Sequence, residues 1–245
     1  MSRGKTALVT GAAVRIGAAT VRELHARGCD VLVHCNSKGQ EAKDLAAELN
    51  ALRAGSAFVA QADLSTPKGV DSLADACRES FGHLDILVNN ASRFYPTEVG
   101  RTLTWQWDDL LNSNVRGPYF LVQALLGELQ AARGCVINVV DIHAERPMPG
   151  HSVYNISKAG IAMMTKSLAQ ELGPDIRVNG VSPGAIMWPE AEMEDSEKQA
   201  ILERTSLGRV GDPSDIASAV AYLALDAHYV TGQILAVDGG RSLNV

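Results

Sequence analysis

No stretch of this 245-residue chain approaches the ~18 consecutive apolar residues of a membrane-spanning helix, which excludes a helical membrane protein. Basic residues are in deficit. The 22 Lys and Arg stand against 28 Asp and Glu, the net charge is −6, and no basic run occurs. A protein that gripped nucleic acid by its phosphates would need the opposite balance, so that class of partner is excluded. Cysteine is scarce: Cys29, Cys35, Cys77 and Cys135 form no CxxC pair. The segment Met1, Ser2, Arg3, Gly4, Lys5 lacks the apolar core and cleavage site of an export signal. Buried, reduced thiols in a cytoplasmic protein are therefore expected. The histidines, from His25 to His228, include no HExxH and no tight pair with a carboxylate or cysteine, so no metal site is predicted. Repeats, low-complexity tracts and Pro/Gly/Ser-rich linkers are absent too, which leaves one domain over 1–245.

The apolar pattern that remains alternates between two periods. Short β-branched runs recur at 6–10, 30–34, 56–61, 85–89, 135–140, 176–182 and 233–238. Between them lie helical spacings such as 17–28, 41–53 and 69–81. Strands alternating with helices of this length predict βαβ units with right-handed crossovers. The strands are nearly continuous in Val, Leu and Ile, as burial on both faces requires. The expected fold is an α/β doubly wound, Rossmann-type parallel sheet of about seven strands with helices on both faces. One compositional break stands out, the acidic run at 189–199, inside a segment 184–207 that joins the sixth strand to a late helix. It reads either as a substrate-binding lid or as a solvated surface helix.

Chemistry concentrates where strands end. The first strand runs into Gly11, Ala12, Ala13, Val14, Arg15, Ile16 and Gly17, and a helix follows. Glycine permits a tight turn that brings N–H groups to an anion at a helix N-terminus. The spacing is wider than GxGxxG, and Arg15 fills the intervening slot. The second strand ends in His34, Cys35, Asn36, Ser37, Lys38, with no carboxylate to accept a ribose 2′-hydroxyl. Donors and a positive charge there suit a 2′-phosphate, which points to NADPH/NADP+. The fourth strand ends in Asn89, Asn90, Ala91, Ser92, followed by Arg93, Phe94 and Tyr95. An aromatic ring at this place fits stacking on a planar ligand, or plain loop packing. Asp141 follows the fifth strand, and Tyr154 and Lys158 stand one helical turn apart on one face. A neighbouring ammonium is expected to lower the phenol pKa, and a tyrosine that gives up a proton as hydride arrives fits carbonyl or imine reduction.

Taken together, these motifs resemble the short-chain dehydrogenase/reductase family over essentially the whole chain. The carriers are TGxxxxxG (10–17), DLS (63–65), NNA (89–91), Asn114, YxxxK (154–158), PG (183–184) and the closing GQILAVDGG (232–240). Ordinary members carry Gly, Gly and Ser where this chain has Arg15, Ser92 and Asp141. TGAAVRIG, NNASRFYPT and VVDIHAERP are similar to the pteridine reductase subgroup. That resemblance implies NADPH-dependent reduction of dihydropterins, with oxidised pterins and folates as further substrates. It assigns Asp141, Tyr154 and Lys158 to catalysis, with Asn114 holding Lys158 through a water. Cofactor contacts are expected from Gly11, Arg15, Ile16, Gly17, His34, Asn36, Ser37, Lys38, Asp63, Leu64, Asn90, Ala91, Ser92, Tyr154, Lys158, Pro183, Gly184 and Ile186. Substrate contacts are expected from Arg15, Ser92, Phe94, Asp141, Tyr154 and Trp188. A homotetramer is implied, with helices around 105–129 and 154–172 at its interfaces. Alternatives are a short-chain reductase of another carbonyl or imine, and an NADP-binding regulator without turnover.

Overall fold

Neighbouring residues of the central strands point to opposite faces of one sheet, and both faces are apolar. The computed structural model describes residues 4–188 and 193–244. Its seven strands are β1 (Thr6–Val9), β2 (Asp30–Cys35), β3 (Ala57–Gln61), β4 (Ile86–Asn89), β5 (Cys135–Val139), β6 (Arg177–Pro183) and β7 (Ile234–Val237). All pairs are parallel, in the order β3-β2-β1-β4-β5-β6-β7. Val9, Val33, Val88 and Ile137 turn to a core under α1 (Arg15–Ala26) and α2 (Gly39–Leu52). Leu8, Leu32, Leu87 and Val136 turn to the other core, under α3 (Pro67–Phe81) and its neighbours. Full burial of each such side chain contributes roughly 1.5–3 kcal/mol before the chain entropy it must offset. The expected α/β fold and strand positions hold to within a residue or two.

The chain leaves β1 toward β2 and β3, then returns to place β4 on the other side of β1. A crevice opens at such a switch point, at the carboxyl ends of the strands. Helix starts in this fold are of two kinds, capped by a side chain or not. Thr66 caps α3 by accepting from Gly69 N at 3.1 Å. Ahead of α9 (Pro213–Ala221) Asp212 accepts from Ser214 N at 2.8 Å, whereas α8 (Asp195–Glu203) starts at Glu194 with no side-chain cap. Before α1 stands Val14, which has no side-chain acceptor. It shares this with α8, but the first residues of α1, Arg15, Ile16 and Gly17, line the crevice, so its unpaired amide groups are turned to it.

The four remaining helices flank the site or lead to those that do. α4 (Thr104–Leu111) continues through a π turn, Asn112–Arg116, into α5 (Gly117–Ala124), and α7 (Ser152–Leu172) lies beside them, after α6 (Leu126–Ala132). In the acidic segment, residues 189–192 lie outside the described residues, and α8 buries none of its side chains. Among the described residues no helix is long and apolar enough to cross a membrane.

Candidate active site

A cleft of about 520 Å³ lies across the switch point. Its floor is the turn after β1. Gly11 has φ 60, and a Cβ there would meet Ala91 Cα at 2.8 Å. At Gly17 a Cβ would meet Asn90 Nδ2 at 2.7 Å. Both positions need the missing side chain. Arg15, with φ 54, is one of the few non-glycine residues in the left-handed region. That conformation costs of order 1–2 kcal/mol and would suit glycine better, so the side chain is retained against a local penalty.

The turn is held from two sides. Thr10 Oγ1 accepts from Asn90 N at 2.9 Å and Ala91 N at 3.0 Å, while Asn90 Nδ2 donates to the Thr10 and Gly11 carbonyls at 2.9 Å. Beneath it, buried His34 accepts from Gly11 N through Nδ1 at 3.1 Å and donates from Nε2 to the Ala62 carbonyl at 3.0 Å. These partners require the neutral ring, and burial pushes its pKa down to about 4. At the far end of this half, Asn36, Ser37 and Lys38 line the cleft. Lys38 pairs with Glu41 at 3.4 Å, both side chains largely exposed, an interaction worth under ~1 kcal/mol and easily exchanged for an anion.

The other half is built from buried side chains. Asp141, Tyr154 and Lys158 all line the cleft. Tyr154 is 5% exposed and donates its hydroxyl to Asp141 Oδ2 at 2.7 Å. The second oxygen of Asp141 accepts from His143 N at 2.9 Å. Lys158 Nζ donates to the Val139 carbonyl at 3.1 Å and lies 5.7 Å from the Tyr154 ring centroid. Burial lowers Lys158 to about 8, with Asp141 opposing the shift. Here the sequence expectation is corrected: Tyr154 is raised, not lowered, first by burial and then by the charge and hydrogen bond of Asp141. The ammonium faces the ring and a carbonyl, while the carboxylate holds the hydroxyl.

Phe94 is 54% exposed at the cleft mouth, stacked on His151 (centroids 4.8 Å, planes 9° apart) and edge-on to Tyr154 (4.8 Å, 81°). Ser92, Ile16, Ala91, Pro183, Gly184 and Ile186 also line the cleft. Asp63, Leu64, Asn114 and Trp188 do not appear on its wall. Leu64 is buried in the core under α3, and the Asn114 amide is occupied by Arg93 and Ser157 rather than Lys158. Three participants were not singled out from sequence: Arg93, Ser113 and His151. Ser113 adjoins Asn114, and His151 lies three residues before Tyr154, so proximity to named motifs was the available signal. Among the described residues no group of His, Cys, Asp and Glu could hold a metal ion.

A doubly wound sheet with a glycine turn at its switch point, and a buried Tyr–Lys pair across the cleft, defines an oxidoreductase that works with a nicotinamide dinucleotide. A family model described as Enoyl-(Acyl carrier protein) reductase matches residues 11–242. The chain is 37% identical to 3beta-hydroxysteroid dehydrogenase 1 of Eggerthella lenta, covering 98% of this chain and 95% of that protein. It is 34% identical to Pteridine reductase 1 of Leishmania tarentolae, over 97% and 96%. It is 36% identical to the 3-oxoacyl-(acyl-carrier-protein) reductase FabG of Haemophilus influenzae, over 99% and 100%. The chain belongs to the short-chain dehydrogenase/reductase family.

Proposed function

We propose that the protein is an NADPH-dependent pterin reductase that takes dihydropterins to tetrahydropterins and also accepts oxidised pterins and folates. The observation that carries this reading is the 2.7 Å bond from Tyr154 to Asp141. Ketone reduction builds negative charge on the substrate oxygen, and a carboxylate beside it is unfavourable. Reduction of a ring C=N instead delivers the proton to nitrogen, and no alkoxide forms. Phe94, edge-on to Tyr154, offers a face for a planar heterocycle.

The residues fit a dinucleotide: the cradle at Gly11 and Gly17, the uncapped start of α1, and the donors Asn36, Ser37 and Lys38 for a 2′-phosphate. NADPH supplies the hydride. Tyr154 supplies the proton from its hydroxyl. A phenolate is disfavoured beside a carboxylate 2.7 Å away, so as the Tyr154 proton passes to the substrate nitrogen Asp141 takes one proton from solvent and hands it on to the Tyr154 oxygen, which leaves both groups as they began. Lys158 keeps a positive charge beside the ring of Tyr154. Arg15 and Ser92 stand on the cleft wall to flank the substrate ring, and Trp188, which lies off that wall, would come to its far side with segment 184–207 acting as the lid.

A carbonyl reductase is the second reading, supported by the steroid and 3-oxoacyl relatives. NADPH oxidation with oxidised biopterin, dihydrobiopterin, dihydrofolate, a 3-oxoacyl thioester and a 3-ketosteroid separates them. Turnover of the last two alone overturns the pterin reading. Cofactor binding without turnover of any would leave a regulator.

The proposal includes a homotetramer. Trp107, Tyr119, Phe120 and Met163 are exposed around a groove of about 600 Å³ between α4, α5 and α7. Clustered apolar surface of this kind marks an interface. Sedimentation should give four copies, and Phe120→Glu should yield smaller species; a monomeric parent rejects the assignment.

A further inference from the structure

Residues 90–96 have no helix or strand, yet Phe94, the proposed substrate platform, sits among them. Arg93 is the most heavily anchored residue of this segment. Its N–H donates to Asn114 Oδ1 at 2.8 Å, and its carbonyl accepts from Asn114 Nδ2 at 3.0 Å. The buried amide thus pairs with the Arg93 backbone as a neighbouring strand would. Asn114 Nδ2 also donates to Ser157 Oγ at 3.0 Å, next to Lys158, which ties this clamp to α7. The Arg93 guanidinium forms an ion pair with Asp109 of α4 and lies 3.6 Å from Asp63, which follows β3. The other oxygen of Asp109 accepts from the Tyr95 hydroxyl at 2.9 Å. Residues on both sides of Phe94 are therefore fixed to one carboxylate.

Phe94 has no such anchorage of its own. Its half-exposed ring makes two aromatic contacts, and no core wedges it in place. We propose that Arg93 is a positioning residue: by tying the loop to Asp109 and Asp63 it presents the Phe94 ring ready-placed to a planar heterocyclic substrate. A platform that had to be ordered on binding would charge that entropy against affinity. The inference rests on the reading of Phe94 as substrate platform. The Arg93 ion pairs are only partly buried, and pairs that still reach solvent add little to global stability, so the effect belongs in substrate binding rather than in the fold.

The test compares Arg93→Ala, Arg93→Lys, Asp109→Asn and Phe94→Ala, each with NADPH and dihydrobiopterin. Arg93→Ala should raise KM about 10-fold, with kcat and the NADPH Kd within about 3-fold of the parent. Arg93→Lys should recover part of the loss, since it keeps the charge but cannot bridge two carboxylates. Asp109→Asn should act in the same direction, and the double variant should be no worse than Arg93→Ala alone. If Phe94→Ala raises KM while Arg93→Ala does not, the inference is overturned. It is overturned too if kcat falls in step with kcat/KM, or if NADPH binding weakens, which would make Arg93 a cofactor contact. If Phe94→Ala leaves KM unchanged, or if pterins are not turned over, the platform reading fails instead. Amide exchange in the NADPH-bound protein then decides on Arg93: exchange across 92–95 should rise about 10-fold in Arg93→Ala without global change. Unchanged exchange there refutes the positioning role.

Discussion

The two ends of the cleft are made of different material. The nucleotide end is backbone: a glycine turn, free amides at the start of α1, and exposed Asn36, Ser37 and Lys38. The reacting end is side chain, with Tyr154 and Lys158 nearly inaccessible and both pKa values displaced by burial. A cradle of main-chain donors serves any dinucleotide and depends on steric allowance. On the proposed reading the buried Tyr154, Asp141 and Lys158 relay protons to one kind of substrate, and that depends on charge. Damage should therefore be abrupt at one end and graded at the other.

Tyr154→Phe is the sharpest way to break that contrast. It preserves the ring beside Phe94 but removes the hydroxyl that Asp141 holds. Steady-state turnover should fall by ~10²–10⁴ while NADPH still binds, as shown by its fluorescence. Retained turnover would mean that another group delivers the proton. Asp141→Ser comes next. Under the pterin reading it removes the group that recharges Tyr154, and dihydrobiopterin turnover should drop ~10–100-fold, with slight activity on simple ketones gained. Activity within about 2-fold of the parent, less than ~0.5 kcal/mol of barrier, would take Asp141 out of the mechanism.

How much of this contrast was legible in the sequence depends on its range. The seven strands, the glycine turn and the shared face of Tyr154 and Lys158 follow from periods of 2 and 3.6, which are local. Spacing alone does not say where a side chain's end points. Lys158 was expected to act on the Tyr154 oxygen, yet its ammonium lies against the ring and the Val139 carbonyl. Likewise Arg93 was invisible as an anchor, because its partners Asp63 and Asp109 come from separate elements. His151, stacked on Phe94, reads in sequence only as a residue ahead of a helix.

Each end also has its own pH limb. Lys158 titrates in the folded protein at about 8, below its unfolded value of 10.5, because burial disfavours the charge. The reductive rate should fall about 10-fold per pH unit above that point as the ammonium is lost. Stability should move the other way between pH 8 and 10.5, since the unfolded chain binds the extra proton in that window and burying the charge is no longer required. At the nucleotide end, burial holds His34 near 4 against 6.5 unfolded. Its contribution is complete above pH 6.5 and is lost as pH falls toward 4, up to ~3 kcal/mol. Denaturant melts against pH, run beside the rate profile, check both limbs. A rate and a stability that fall together above pH 8 would contradict the alkaline assignment.

The smallest effect is expected from Lys38→Asp, at the exposed end. Lys38 is 59% exposed on its side chain and rests against Glu41, so it is neither buried nor rigidly placed. Its replacement exchanges an attraction for a repulsion toward a 2′-phosphate, but in water-like surroundings that screen charges over ~8–10 Å at moderate salt. The parent should prefer NADPH over NADH, and the variant should lose roughly 10-fold of that preference through KM for NADPH, with kcat little changed. Because the contact is solvated, raising the salt should shrink the difference between parent and variant, whereas the Tyr154→Phe defect should be insensitive to salt. Competition of kcat/KM for the two cofactors at low and high ionic strength measures this directly. Equal efficiency with both cofactors in the parent would remove Asn36, Ser37 and Lys38 as a phosphate site, and a salt-independent Lys38→Asp defect would place that lysine in a buried contact that the geometry does not provide.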